Sequence, residues 1–227
     1  MKRDCVTWRA ILCMALAVVL AGCATESNRT IEPKQVASAG TVYTGPKSTL
    51  AVGNFENRTD YMRGLFSDGA DRLGGQAKTI LIGHLQQTGR FNVVDRGNME
   101  EIAQEAALQG KAQKLQGANY IVTGQVTEFG RKETGDVQLF GILGAGKKQV
   151  AYAKITLNIV DVLTSAVVYS VQGAGEYALS NREVVGFGGT SGYDSTLNGK
   201  VLDLAVREAI NRLVDGVESG AWNPVKE

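Results

Sequence analysis

The sequence is poor in cysteine, histidine and proline, and two of these shortages exclude classes of protein. Its 227 residues include three cysteines, one histidine and three prolines. All the cysteines lie within the first 23 residues, so the chain after Cys23 has no disulfide framework and no thiol for metal binding or nucleophilic catalysis. The single histidine, His84, cannot build a usual zinc site, because such sites take several nitrogen or sulfur ligands.

The chain also lacks a large excess of charge of either sign. It has 24 lysines and arginines against 23 aspartates and glutamates, a formal net charge of +1. A surface without a basic excess has little attraction for a phosphate backbone, so we expect no nucleic-acid partner. Glycine, in contrast, is abundant at 28 residues, which favours bulged or closely packed sheet over a purely helical protein.

The first 22 residues have the pattern of a secretory signal. A basic start is followed by the apolar run Ala10–Ala21, which at about a dozen residues is too short to span a bilayer as a stable helix. The run ends in Leu20-Ala21-Gly22-Cys23, which resembles the bacterial lipobox, where lipid is attached to the Cys thiol and the chain is cut before it. The sequence therefore predicts a lipoprotein signal peptide over residues 1–22 and acylation of Cys23.

An acylated Cys23 predicts attachment to a membrane and excludes the cytoplasm. In the lipoproteins that this segment resembles, Asp after the Cys tends to retain the protein in the inner membrane, but here the next residue is Ala24. We therefore expect an outer-membrane lipoprotein whose main domain is periplasmic, with covalent lipid and no other cofactor. Residues 24–48 are polar and without periodicity, so residues 23–48 are predicted to be a lipidated flexible tether that precedes a folded domain over residues 49–227.

The periodicity of the folded part predicts alternating strands and helices. The predicted elements are a strand at 49–55, a helix at 70–88, a strand at 90–94, a helix at 98–109, a strand at 118–129 and a helix at 194–219. The region between the last two is strand-like, with apolar and polar residues alternating over long stretches. This order predicts an α/β or α+β domain with a mixed sheet.

The strand-like stretches 134–162 and 167–189 exceed the usual strand length of about five or six residues. Alternation over roughly ten residues is the weak signature of a transmembrane β-strand, and such strands must close into a barrel with other copies because every backbone group needs a partner in lipid. Alternation alone favours the other interpretation, long hairpins on a soluble sheet. We therefore treat 134–158 and 168–190 as candidate membrane hairpins.

Several segments together resemble the CsgG family of outer-membrane lipoproteins, which form the curli secretion channel. Their order and spacing carry the resemblance, which covers about residues 50 to 222. The segments are LAVGNFENRT (50–59), TGRFNVVDRGNMEEI (88–102), ANYIVTGQVTEF (118–129), LFGILGAG (139–146), ITLNIVDVLTSAVVYS (155–170), EYALSNREVVGF (176–187), GYDST (192–196) and VREAINRLVDGVESGAW (206–222).

The resemblance implies a ring of identical subunits, each giving two hairpins to a shared oligomeric transmembrane β-barrel above a periplasmic α/β domain. The pore would pass unfolded, amyloid-forming subunits by diffusion, with a periplasmic accessory protein as a further partner. The family's constriction loop follows the first strand, which makes Tyr61, Phe66 and Asn57 the constriction candidates. In the second hairpin, the lumen-facing candidates are Glu176, Ser180 and Arg182, and the lipid-facing candidates are Tyr177 and Leu179.

We find no catalytic constellation in the sequence and expect no enzyme. Ser191 and Ser195 have no neighbouring His, and Gly186-Phe187-Gly188-Gly189 lacks the third glycine of a dinucleotide fingerprint. Two hypotheses remain: the oligomeric secretion channel, and a lipid-anchored periplasmic scaffold that binds envelope or surface-polymer partners without forming a pore.

Overall fold

The computed structural model describes residues 32–61, 71–94, 96–137, 145–183 and 196–224. Cys23, Phe66 and the signal segment lie outside these ranges, so nothing below concerns their structure. The described part of the chain contains five strands and three helices. In chain order these are β1 (Ser48–Asn57), α1 (Arg72–Thr88), β2 (Phe91–Val94), α2 (Met99–Leu108), β3 (Tyr120–Val137), β4 (Ala145–Asp161), β5 (Val167–Glu183) and α3 (Leu197–Glu218).

The strands form one mixed sheet in the order β2-β1-β3-β4-β5. β1 pairs in parallel with both β2 and β3, while β3, β4 and β5 pair antiparallel through long ladders. The predicted mixed α+β domain is therefore confirmed, and the predicted elements match the observed ones to within a few residues. The exception is β3, which continues to Val137 instead of ending near Phe129.

Helix α1 begins and ends at residues with recognisable capping chemistry. The Asp71 carboxylate accepts a hydrogen bond from the backbone N–H of Gly74, which satisfies one of the free donors at the start of α1. Gly89 ends α1 with a φ of 64°, a left-handed conformation that glycine adopts without a steric penalty. The helix thus spans the interval predicted from its apolar spacing.

Helix α3 covers the sheet and supplies a large share of the core. Its apolar side chains are buried against β4 and β5. Helix α1 packs beside α3 on the same face of the sheet. Burying one Leu or Ile side chain contributes about 1.5–3 kcal/mol, far more than a surface ion pair. The buried residues of α3 are Leu197, Val201, Leu202, Ala205, Val206, Ala209, Ile210, Leu213, Val214 and Gly216.

The backbones of α3 and β5 approach closely because Gly173 and Gly175 have no side chains. A Cβ atom on Gly173 would overlap the carbonyl oxygen of Ala205 and the backbone nitrogen of Ala209. A Cβ on Gly175 would lie 2.6 Å from the Cβ of Leu204. Glycine in β5 is therefore a packing requirement of this helix–sheet contact.

Part of the predicted tether packs against the folded domain. Val36 is buried in the hydrophobic core, and the backbone N–H of Ala37 donates to the side-chain oxygen of Asn211 on α3. The compact unit of the chain extends from Gln35 to Glu227 and so includes part of the stretch predicted as tether. Among the described helices, none combines the length and apolar character needed to cross a membrane.

The contact between α3 and β5 gives a stability prediction. We expect Gly173→Ala to lower the free energy of unfolding by about 1–3 kcal/mol, because the atoms in the way belong to the helix backbone and cannot rotate aside. The control is Gly117→Ala, at a position with nothing within 4 Å of the added Cβ, which should change stability by less than about 0.5 kcal/mol. Urea denaturation measures both, and equal effects would contradict the packing requirement.

Candidate functional site

The loop after β1 is one candidate functional region, and its two ends are tied together by Asp71. One carboxylate oxygen of Asp71 caps α1, while the other accepts a hydrogen bond of 2.6 Å from the backbone N–H of Asn57. The start of α1 is thereby held against the end of β1. Asp71 was not among the predicted site residues, although Asp directly before an apolar helical pattern is a recognisable capping signal.

Asn57, a constriction candidate, organises the first turn of this loop. Its side-chain oxygen accepts hydrogen bonds from the backbone N–H and the hydroxyl of Thr59, at 3.0 and 2.7 Å. Its side-chain nitrogen donates to the carbonyl oxygen of Tyr61 at 3.0 Å. The amide group is thus occupied by the loop's own backbone, as in an Asx turn.

Tyr61, the second constriction candidate, packs onto the domain. Its ring centroid lies 4.6 Å from that of Phe129, a buried residue of β3, and its hydroxyl accepts a hydrogen bond from Asn198 on α3 at 3.4 Å. The structure therefore brings Asn57 and Tyr61 together at the base of the long β3–β4 ladder. The third candidate, Phe66, lies outside the described residues.

Strands β3, β4 and β5 extend well past the end of β1. The last partner of β1 on β3 is Val126, after which the β3–β4 ladder continues from Phe129 opposite Ala153 to Val137 opposite Ala145. At about 3.3 Å per residue, this nine-residue stretch measures roughly 30 Å. The described parts of the first candidate hairpin, 134–137 and 145–158, therefore lie within this antiparallel ladder.

The alternation in β5 reflects packing against α3 as far as Tyr177. Val171 and Gly173 are buried beneath the helix, and the Tyr177 ring packs at the edge of the core with the Lys200 ammonium 5.4 Å from its centroid. Tyr177, predicted to face lipid, thus contacts protein within its own subunit. Glu176, predicted to face the lumen, is exposed and lies on the opposite side of the strand.

The remaining predicted residues of the second hairpin lie farther along β5. Leu179 is half-buried, and the backbones of Ser180 and Arg182 pair with Lys148 and Gly146 of β4. β5 forms the first limb of the candidate hairpin at 168–190. Its residues beyond Glu183 lie outside the described ranges.

Arg90 joins the N-terminal segment to the domain and was not predicted from the sequence. The guanidinium is only 5% exposed and donates two hydrogen bonds to Glu218 at the end of α3, of 3.0 and 2.6 Å. It also donates to the carbonyl oxygen of Ser38 and the hydroxyl of Thr41, at 3.2 and 2.7 Å. A charged residue directly before the apolar residue Phe91, which is buried, is the signal that could have identified it, because buried cations require partners.

Two titratable residues that could have suggested chemistry, His84 and Asp161, are held in structural contacts. His84 is buried between α1 and α3, with Nε2 2.7 Å from Asp203 Oδ1 and Nδ1 3.0 Å from Gln87 Oε1. Asp161 lines a cavity of about 530 Å³ but accepts hydrogen bonds from its own turn. Within the described ranges, no three His, Cys, Asp or Glu side chains are placed to hold a metal ion.

The packing of Tyr61 gives a second prediction. We expect Tyr61→Ala to lower the free energy of unfolding by about 2 kcal/mol, because it removes the contact with Phe129. The control is Tyr152→Ala on the exposed face of β4, which should cost about 1 kcal/mol or less. Thermal unfolding measures both. Equal losses would mean that Tyr61 does not anchor the loop.

Comparison with known proteins adds one close relative and a family. A Neisseria meningitidis serogroup B (strain ATCC BAA-335 / MC58) protein named "Putative lipoprotein NMB1126/NMB1164" is 63% identical over 215 residues, which cover 95% of this chain and 96% of that protein. The family model "Curli production assembly/transport component CsgG" matches residues 31–227.

Two solved structures share less with the chain. A PelC dodecamer from Paraburkholderia phytofirmans is 16% identical, with 74% of this chain and 93% of that chain covered and a TM-score of 0.35. The lipoprotein GNA1162 from Neisseria meningitidis is 14% identical, with 76% and 99% covered and a TM-score of 0.32. At these TM-scores neither structure carries an argument about this chain. The family match, in contrast, spans nearly the whole folded part, and the chain belongs to the CsgG family.

Proposed function

We propose that this protein is an outer-membrane lipoprotein anchored by acyl chains on Cys23. The support is the Leu-Ala-Gly-Cys sequence at residues 20–23, together with the naming of the 63% identical relative as a lipoprotein. Because Val36 is buried in the domain, only about a dozen residues separate the anchor from the fold. Fully extended, they reach about 45 Å, which keeps the domain next to the bilayer.

The proposed activity is transport: a ring of subunits forms a pore that passes unfolded, amyloid-type subunits by diffusion. The family match over residues 31–227 is the observation that carries this proposal. The length of the β3–β4–β5 ladder supports it, since its distal nine residue pairs equal the length of a membrane-crossing strand. In the described residues β5 pairs only with β4, so its second edge is available to another strand.

The loop between β1 and α1 is the proposed constriction of this pore. Asn57 and Tyr61 hold its first turn, and Asp71 holds its two ends together. Phe66 is the remaining constriction candidate and lies between these fixed points in the sequence. A loop clamped at both ends loses less conformational entropy when it is ordered in an assembly.

We further propose that the protein is not an enzyme. The single histidine lies within hydrogen-bond distance of Asp203 and Gln87, Asp71 caps α1, and Glu56 pairs with Arg58. A diffusion pore needs no nucleophile, no metal and no nucleotide. Its selectivity comes from the size and lining of the opening.

The alternative is a lipid-anchored periplasmic scaffold that binds envelope or surface-polymer partners. One observation favours it: the alternation in β5 is accounted for by packing on α3 as far as Tyr177. A scaffold would need the Cys23 anchor and the folded domain, but no membrane insertion by strands. Of the two predictions below, the first tests the anchor that both hypotheses share, and the second separates them.

Replacement of the anchor tests the first step. We expect Cys23→Ala to remove the lipid, shift the protein from the membrane fraction to the soluble periplasmic fraction, and lower pore formation at least tenfold. Metabolic labelling with a fatty acid and membrane flotation measure the shift. The control is Ser27→Ala in the same tether, which should remain lipidated. A labelled, membrane-bound Cys23→Ala protein would contradict anchoring at Cys23.

Substitutions in distal β5 test the pore itself. We expect Leu179→Arg to block membrane assembly, because a charge facing the bilayer costs about 2–4 kcal/mol per subunit at mid-depth. Arg182→Glu should still assemble but change the conductance and ion selectivity, since it reverses a charge in the lumen. Planar-bilayer recordings on the purified detergent-extracted protein measure both. Equally harmless substitutions, or no conductance from wild-type protein, would favour the scaffold.

A further inference from the structure

Helix α2 buries none of its side chains against the part of the chain that the structure describes. None of the residues from Met99 to Leu108 is buried, and Ile102 and Leu108 are 42% and 75% exposed. Isolated helices of this length are marginal in water, because the few hydrogen bonds barely offset the entropy of nucleation. A ten-residue helix that exposes its apolar side chains therefore points to a partner outside the subunit.

Four apolar residues of α2 form one face, while Leu108 lies on the opposite side of the helix. Met99, Ile102, Ala103 and Ala106 follow the i, i+3, i+4, i+7 spacing that defines a single helical stripe. Glu100 and Glu105 border this stripe on its two sides, while Glu101 lies on the far side of the helix. The helix contains no basic residue, so we expect its partner surface to be basic. The partner surface should also have small side chains, against which the apolar stripe of α2 can pack closely.

Helix α1 of another copy offers such a surface. Its outward face carries Gly75, Thr79 and Gly83 at i, i+4, i+8 spacing, and the space above Gly75 and Gly83 is open. A second helix can approach closely where side chains are small. The helix contains Arg72 and Lys78 and no acidic residue between Arg72 and Thr88, so its charge is opposite to that of α2.

The sheet topology separates the two surfaces within one subunit. α1 connects β1 to β2, and α2 connects β2 back across β1 to β3, so the two parallel crossovers run in opposite directions. Right-handed crossovers in opposite directions place their helices on opposite faces of a sheet. Contact between these two helices is therefore intermolecular and joins different surfaces of the two copies, the head-to-tail arrangement that can close a ring.

We propose that α2 of one copy docks across the Gly75–Thr79–Gly83 face of α1 on the next copy. This contact rests on the self-association part of the proposed function, and it requires neither a pore nor inserted strands. Glu100 and Glu105 lie beside Arg72 and Lys78 of the neighbouring copy at the rim of the contact. The apolar stripe of α2 is covered by the small residues of α1.

A charge-exchange experiment on the full-length protein tests the contact. We expect Glu100→Lys with Glu105→Lys to weaken self-association about tenfold, and Arg72→Glu with Lys78→Glu to do the same, because each places like charges together. All four substitutions in one chain should restore assembly to within about threefold of wild type. The control, Glu101→Lys, makes the same charge change on the far side of α2 and should leave assembly unchanged. Light scattering of the detergent-extracted protein measures the assembled mass.

Cross-linking locates the contact without relying on charge. Copies with Ile102→Cys and copies with Thr79→Cys, mixed after separate purification and oxidised, should give a mixed disulfide-linked dimer. Ile102→Cys mixed with Leu163→Cys, on the β4–β5 turn, should not. A product linked only through two copies of position 102 would overturn the head-to-tail contact.

The outcomes also separate this inference from the proposed function. If wild-type protein assembles and none of the α1 and α2 substitutions weakens it, the contact is wrong while the proposed ring stands. If wild-type protein remains monomeric at every concentration, the self-association on which both depend is wrong. Loss of assembly without recovery in the four-substitution chain would also overturn the contact.

Discussion

The close approach of α3 to β5 is the interaction on which the rest of the structure depends. Gly173 and Gly175 let the helix backbone lie almost directly on the strand, so that the apolar face of α3 fills the space above β4 and β5. The Trp222 side chain just after the helix then packs in an aromatic cluster with Phe91, Tyr120 and Tyr169. One long helix thereby joins both halves of the sheet.

The same helix supplies a partner to each functional feature outside it. On α3, Asn198 contacts Tyr61, Lys200 contacts Tyr177 and Asp203 contacts His84. Farther along the helix, Asn211 contacts the backbone of Ala37 and Glu218 contacts Arg90. The loop after β1, the base of the long ladder and the segment that leads to the lipid anchor are thus positioned by one element. A displacement of α3 would also displace these three regions, because close-packed contacts transmit displacement.

Much of the fold could be predicted because its signals are local. The helix at Arg72–Thr88 follows from apolar spacing between Asp71 and Gly89, and the buried face of β4 follows from strict alternation through Ala151, Ile155 and Ile159. The site was harder, since its residues are far apart in sequence. Ser38 and Arg90 are 52 positions apart and Arg90 and Glu218 are 128 positions apart, so no local pattern predicts those contacts.

The sequence by itself determined the element order, the buried face of each long strand and the lipid-attachment signal, because periodicity and short motifs are read over a few neighbouring residues. Only the tertiary structure decided that Tyr61 and Tyr177 contact their own domain, that Val36 is packed in the core, and that no residue of α2 is buried within the described part of the chain. Alternation gives the same signal for a strand face that meets lipid and one that meets a helix. The difference lies in what packs against that face, which no local pattern encodes.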